Sequence, residues 1–137
     1  MSGFVADASV SVAWVHPAQA TAETDAALQA VRDGAVMEAP ALWPLEVSNA
    51  LLVLVRRNKL TEAQRQAALS AVQKLAVKLD YEMSVVAFTK LSALASEHHL
   101  SVYDAAYLEL AQRRKLPLAC KDGALRAAAT KARIKLL

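Results

Sequence analysis

A chain of 137 residues that is 55% apolar, with only three glycines and four prolines, can bury roughly two thirds of its unfolded surface in one core. It is too apolar and too poor in breakers to be disordered or repetitive. No apolar run reaches the ~20 residues of a membrane span, no basic segment leads into a long apolar core as in a secretory signal, and the lone Cys120 excludes an internal disulfide.

A reduced, cytoplasmic setting fits that cysteine usage, and residues 1–137 read as one domain. The formal charge of +3 comes from 16 basic and 13 acidic side chains. Gathering several acids in one place would leave a basic body around them, which suits a polyanion that must reach bound cations.

The first element is a short strand, Phe4-Val5-Ala6, that stops on Asp7. A helix is expected from there to about His16, ended by Pro17. A second helix is predicted over Thr21–Asp33, with acids early and Gly34 as its C-terminal stop. Val36–Ala39 reads as a strand halted by Pro40. Pro44 opens a long helix to about Arg57, and its stretch 50–55 is apolar on every face, so burial all round is expected. Glu46 precedes that stretch by one turn, with Asn49 on the same side at i+3.

Thr61-Glu62-Ala63-Gln64 matches a capping box and starts a helix expected to run to about Leu79. Tyr81–Ser84 is the next predicted strand. A helical stripe of Val85, Phe88, Leu91, Leu94 and Ala95 follows, to about His98. Ser101-Val102-Tyr103-Asp104 is a second capping box, and its helix ends near Arg113, Arg114 and Lys115. Leu116–Cys120 is a fourth strand with Asp122 just beyond it. A helix over Gly123–Ala132 and a fifth strand at 134–136 complete the chain. Strands separated by helices argue for an α/β fold with a parallel sheet covered on both faces.

Asp7 and Asp122 directly follow strands, while Glu46 and Asp104 lie in the first turns of helices. A parallel sheet brings all four to one edge, the edge where ligands bind in open α/β folds. Four hard oxygen ligands there would suit Mg²⁺ or Mn²⁺. Taken singly, Asp7 and Asp122 are also ordinary N-caps and Asp104 an ordinary capping-box partner. Glu46 has no such reading beside an apolar helix.

Ser9 is better placed to cap or to contact a metal-bound water than to act in a triad. Cys120 packs as a small apolar residue. Trp14, Trp43, Tyr103 and Tyr107 are core candidates, Tyr103 having the best claim to the site because it precedes Asp104. Basic clusters at Arg56, Arg57, Lys59 and at 113–115 complement helix C-termini. Lys121 and Arg126, which flank Asp122, are better candidates for a phosphate backbone.

Four blocks in order carry a resemblance to the PIN-domain ribonucleases, specifically the VapC-like toxins of type II toxin–antitoxin pairs. They are Val5-Ala6-Asp7-Ala8-Ser9, Pro44-Leu45-Glu46-Val47-Ser48-Asn49, Leu100-Ser101-Val102-Tyr103-Asp104-Ala105-Ala106-Tyr107 and Leu118-Ala119-Cys120-Lys121-Asp122. The resemblance implies a five-stranded parallel sheet in the order 3-2-1-4-5.

It also implies Mg²⁺- or Mn²⁺-dependent endoribonuclease activity through Asp7, Glu46, Asp104 and Asp122, leaving 5′-phosphate and 3′-hydroxyl ends. By their positions beside these acids, Ser9, Asn49 and Tyr103 would stand in support, and Lys121 and Arg126 would contact the RNA. A small antitoxin partner and a homodimer are implied as well. Cys120 departs from the pattern, standing where such proteins carry Thr or Ser. A non-catalytic PIN-like assembly module is the alternative. A haloacid-dehalogenase-like phosphatase is disfavoured, because Asp7-Ala8-Ser9 lacks the second aspartate such enzymes use.

Overall fold

The computed structural model describes residues 3–137. Its sheet is four-stranded and parallel in the order β3-β2-β1-β4, built from β1 (Gly3–Ala6), β2 (Val36–Pro40), β3 (Val77–Asp80) and β4 (Leu118–Ala119). Parallel pairing requires crossovers. They are supplied by helices α1 (Ala8–Val15), α2 (Ala22–Arg32), α3 (Trp43–Arg56), α4 (Glu62–Gln73), α5 (Ser92–His98) and α6 (Val102–Arg114). Helix α7 (Gly123–Lys131) follows β4.

Phe4, Val5 and Ala6 are wholly buried, as befits a central strand with neighbours on both sides. Gly3 pairs with Val36, and a Cβ there would lie 2.9 Å from the Val36 carbonyl oxygen, so the two strands meet as closely as they do because the residue is glycine.

The expected five-stranded order holds for four strands. The fifth is reduced to a single parallel bridge between Leu118 and Leu136, flanked by hydrogen bonds from Leu118 N to the Lys135 carbonyl and from Leu137 N to the Leu118 carbonyl. β4 is only two residues long, so a fifth strand has almost nothing to pair with.

The third strand is also displaced from its expected place. The helix expected to reach Leu79 stops at Gln73, the strand occupies Val77–Asp80, and Glu82–Ser84 is a 3₁₀ turn. Leu75, Val77 and Leu79 all pack against the core; their two-residue alternation is a strand signal that the helical run before it masks.

Two helices differ in burial from their sequence pattern. In α3 only Trp43, Val47 and Leu51 are buried, one face rather than all round. Ala87–Leu91 is π-helical, with Leu91 N bonded to the Val86 carbonyl. That extra residue in the turn puts the two halves of the stripe out of phase. Leu91 and Ala95 are buried, while Val85 and Phe88 are 74% and 97% exposed.

Arg113 and Arg114 do more than offset a helix end. Arg113 donates to buried Glu109 (2.7 Å) and to both oxygens of Asp80 (3.1 and 2.6 Å), and Arg114 donates to Glu38 (3.1 Å). These bonds tie α6 to β2 and β3, with Lys115 closing the helix in a left-handed conformation at φ 55°. Among the described residues no helix is long and apolar enough to cross a membrane.

Candidate active site at the carboxyl edge of the sheet

Each carboxylate reaches the same edge by a separate route. The ladder between β1 and β4 runs one residue past Ala6, with Asp7 N donating to the Ala119 carbonyl at 3.1 Å. The Asp7 side chain therefore emerges at the end of β1, beside the exit of β4. It caps α1 by accepting from Val10 N (3.3 Å), and the Ser9 hydroxyl donates to the same oxygen at 2.7 Å. Asp122, three residues past β4, caps α7 by accepting from Leu125 N at 2.9 Å.

Glu46 is the fourth residue of α3 and Asp104 the third of α6. Ser101 Oγ accepts from the Asp104 N–H at 3.0 Å, but no return bond from the Asp104 carboxylate is made among the described residues, so its carboxylate is not spent on a capping box. All four acids line one cavity of about 450 Å³, together with Ser9, Tyr107 and Lys121.

Burial and mutual repulsion act together here. Asp7 is 6% exposed, and its pKa is pushed up to about 6, chiefly by burial. The Ser9 and Val10 hydrogen bonds oppose the rise, and the charges of Asp104 and Glu46 add to it. Glu46 is raised by burial, with the Tyr107 hydrogen bond opposing and Asp104 adding. Asp104 is raised by burial and then by Asp122. Asp7, Glu46 and Asp104 thus resist ionisation, and a cation beside them would stabilise their charged forms.

The donor set is all carboxylate oxygen, which fits Mg²⁺ or Mn²⁺. Among the described residues no group of three or more His, Cys, Asp or Glu side chains is gathered closely enough to hold a metal ion together. An ion here would keep several waters and use one or two carboxylates directly, the habit of Mg²⁺.

The supporting residues separate. Ser9 lines the cavity and orients Asp7. Asn49 is exposed and outside the lining, and Tyr103 is 65% exposed and outside it too. The tyrosine that reaches the pocket is Tyr107, whose hydroxyl donates to Glu46 Oε1 at 2.7 Å. Burial and the surrounding carboxylates hold that phenol protonated, far above its ordinary range. Its signal in the sequence is the spacing of three from Asp104, which puts both on one face of α6.

Lys121 lines the acidic cavity and donates to the Gln19 carbonyl at 2.6 Å. Arg126 donates to the Cys120 carbonyl at 2.9 Å and lines an adjoining cavity that it shares with Lys121, Thr21 and Glu23. Cys120 is 2% exposed within the core, and burial first, then Asp7, pushes its thiol up to about 12. It stays a neutral thiol.

No protein-family model and no curated protein matches the sequence. Solved structures do. PAE2754 from Pyrobaculum aerophilum superposes with a TM-score of 0.68 at 22% identity, over 93% of this chain and 84% of that one. VapC20 from Mycobacterium tuberculosis, a sarcin-ricin loop cleaving toxin, gives 0.64 at 17% identity, over 92% and 95%. A toxin–antitoxin complex from Klebsiella pneumoniae gives 0.55 at 18% identity, over 88% and 87%. At these identities the likeness is one of fold: the chain shares the fold of these structures, VapC20 among them.

Proposed function

We propose that this chain is a Mg²⁺- or Mn²⁺-dependent endoribonuclease and the toxin of a type II toxin–antitoxin pair. The observation that carries the reading is the convergence of Asp7, Glu46, Asp104 and Asp122, from four separate segments, on one cavity at the carboxyl edge of the sheet. The fold shared with VapC20 and with the Klebsiella toxin–antitoxin complex supports the biological half of the proposal and a small antitoxin as partner.

A bound divalent ion supplies a water of lowered pKa and compensates charge at the phosphate and the leaving oxygen. The chain's own residues do the rest. Asp7 is held in place by Ser9 and by the α1 N-terminus, and Glu46 by Tyr107. Glu46 or Asp104, both already raised in pKa, takes the proton of the attacking water. Cleavage on this scheme leaves a 5′-phosphate and a 3′-hydroxyl.

Purified protein is expected to cut RNA with Mn²⁺ and not with excess chelator, and end-mapping should show those termini. Cleavage that persists in chelator, or that leaves cyclic phosphate ends, would refute the scheme. Homodimerisation belongs to the same proposal and is consistent with exposed Leu45, Tyr81, Val85 and Phe88; a monomer by light scattering at tens of micromolar would remove it.

Lys121 and Arg126 are assigned to the RNA backbone. Each is anchored through a backbone carbonyl and keeps further N–H donors for phosphate. Replacing both with Ala, in a cleavage-dead Asp7→Asn background, should lower the salt slope of RNA binding by roughly 0.7 per lost contact to a single strand. An unchanged slope would move the RNA path to Arg56, Arg57 and Lys59.

A further inference from the structure

Tyr107 is a core residue with one polar atom, and the position of that atom bears on which cation the pocket accepts. Its side chain is 1% exposed on α6, yet the hydroxyl reaches across to α3 and lies 2.7 Å from Glu46 Oε1. A carboxylate can only accept, and a phenol has one proton to give, so the direction of this bond is set. Glu46 makes no other side-chain hydrogen bond or ion pair among the described residues. Oε1 therefore accepts one hydrogen bond, which fixes its direction and occupies one of its lone pairs, while Oε2 accepts none among the described residues.

We infer that Tyr107 is a positioning residue that fixes the Glu46 carboxylate with Oε2 as its one unencumbered oxygen for a cation and thereby biases the site toward Mg²⁺ or Mn²⁺ over Ca²⁺. The inference rests on the proposed reading of the pocket as a divalent-cation site. The physical reason lies in ion size. Ca²⁺ takes six to eight oxygens at long, flexible distances and accepts both oxygens of one carboxylate. Mg²⁺ demands a compact octahedron and draws on few carboxylates, each sparingly. A glutamate with one oxygen already bonded suits the second habit and handicaps the first. Without the hydroxyl, Glu46 is free to turn and offer both oxygens.

The bland alternative is that the hydroxyl merely satisfies a half-buried carboxylate. In that case its loss would weaken all ions alike. The test is Mn²⁺ titration of the full-length protein and of Tyr107→Phe, with free ion read by electron paramagnetic resonance and Ca²⁺ and Mg²⁺ used as competitors. Phe conserves the ring, and circular dichroism checks the fold.

Mn²⁺ affinity of Tyr107→Phe should fall roughly 10- to 100-fold, the usual cost of losing an outer partner of a ligand. Ca²⁺ affinity should fall less or rise, so that the ratio moves toward Ca²⁺. The same substitution in a Glu46→Gln background should leave the ratio where Glu46→Gln alone puts it. An unchanged Ca²⁺-to-Mn²⁺ ratio in Tyr107→Phe, or a shift that persists without the Glu46 carboxylate, overturns the inference. Failure of the unmodified protein to bind Mn²⁺ would instead refute the cation site itself, a distinct result.

Discussion

Asp7→Asn, Glu46→Gln and Asp104→Asn are each expected to cut RNA at least about 100-fold more slowly while the protein stays folded. Losing even an outer partner of a metal ligand costs roughly 10- to 100-fold, and these acids are proposed to act directly or through one water. The rival account is that they are structural. Asp7 does cap α1, and a cap lost to Ala costs about 1 kcal/mol. The chosen substitutions separate the two accounts, because an amide oxygen still accepts from Ser9 and Val10. Cleavage should be measured beside urea melts. Normal cleavage by a well-folded Asp7→Asn protein would defeat the assignment.

The second expectation concerns pH, and its sign follows from the direction of the shifts. Asp7 has a folded pKa of about 6 against an ordinary 3.8, so between those values the folded protein holds a proton that the unfolded chain has released. Stability must then fall as pH rises through that window. Glu46 and Asp104 are raised too and act in the same direction.

A rise of that size on a buried group corresponds to an effect on the order of 3 kcal/mol. The metal-free protein in chelator is therefore expected to lose stability from pH 4 to pH 7 relative to Asp7→Asn. At pH 7 the Asn variant should be the more stable of the two. Mn²⁺ should reverse the order, raising the melting temperature of the unmodified protein strongly at pH 7 and little at pH 5. Denaturation curves of both proteins at three pH values decide it. Parallel pH dependence in the two proteins would mean that Asp7 ionises as an exposed acid does.

Much of the fold is legible in consecutive residues. Phe4-Val5-Ala6 running onto Asp7 marks a buried strand, and the caps at Thr61 and Ser101 stand where their sequence signals put them. These features are local: the physics that selects a cap or a buried strand acts over one turn or one strand.

What escapes the sequence depends on partners far along the chain. Whether 134–136 becomes a strand is decided by the two-residue length of β4, not by its own residues. Val77 and Leu79 join the sheet because β2 offers an edge, although the helical run before them continues the wrong period. The π turn at Ala87–Leu91 rotates Val85 and Phe88 away from the core that the stripe promises.

At the site the same division holds. Residue type and position after a strand (Asp7, Asp122) or in the first turn of a helix (Glu46, Asp104) point the four acids to one edge, and the folded chain places them around one cavity. Which tyrosine reaches them depends on the packing of α6 against the sheet, which buries Tyr107 and aims its hydroxyl at a carboxylate 61 residues away while leaving Tyr103 in solvent. A hydrogen bond between two helices has no sequence signature, because its geometry exists only once both have docked on one core.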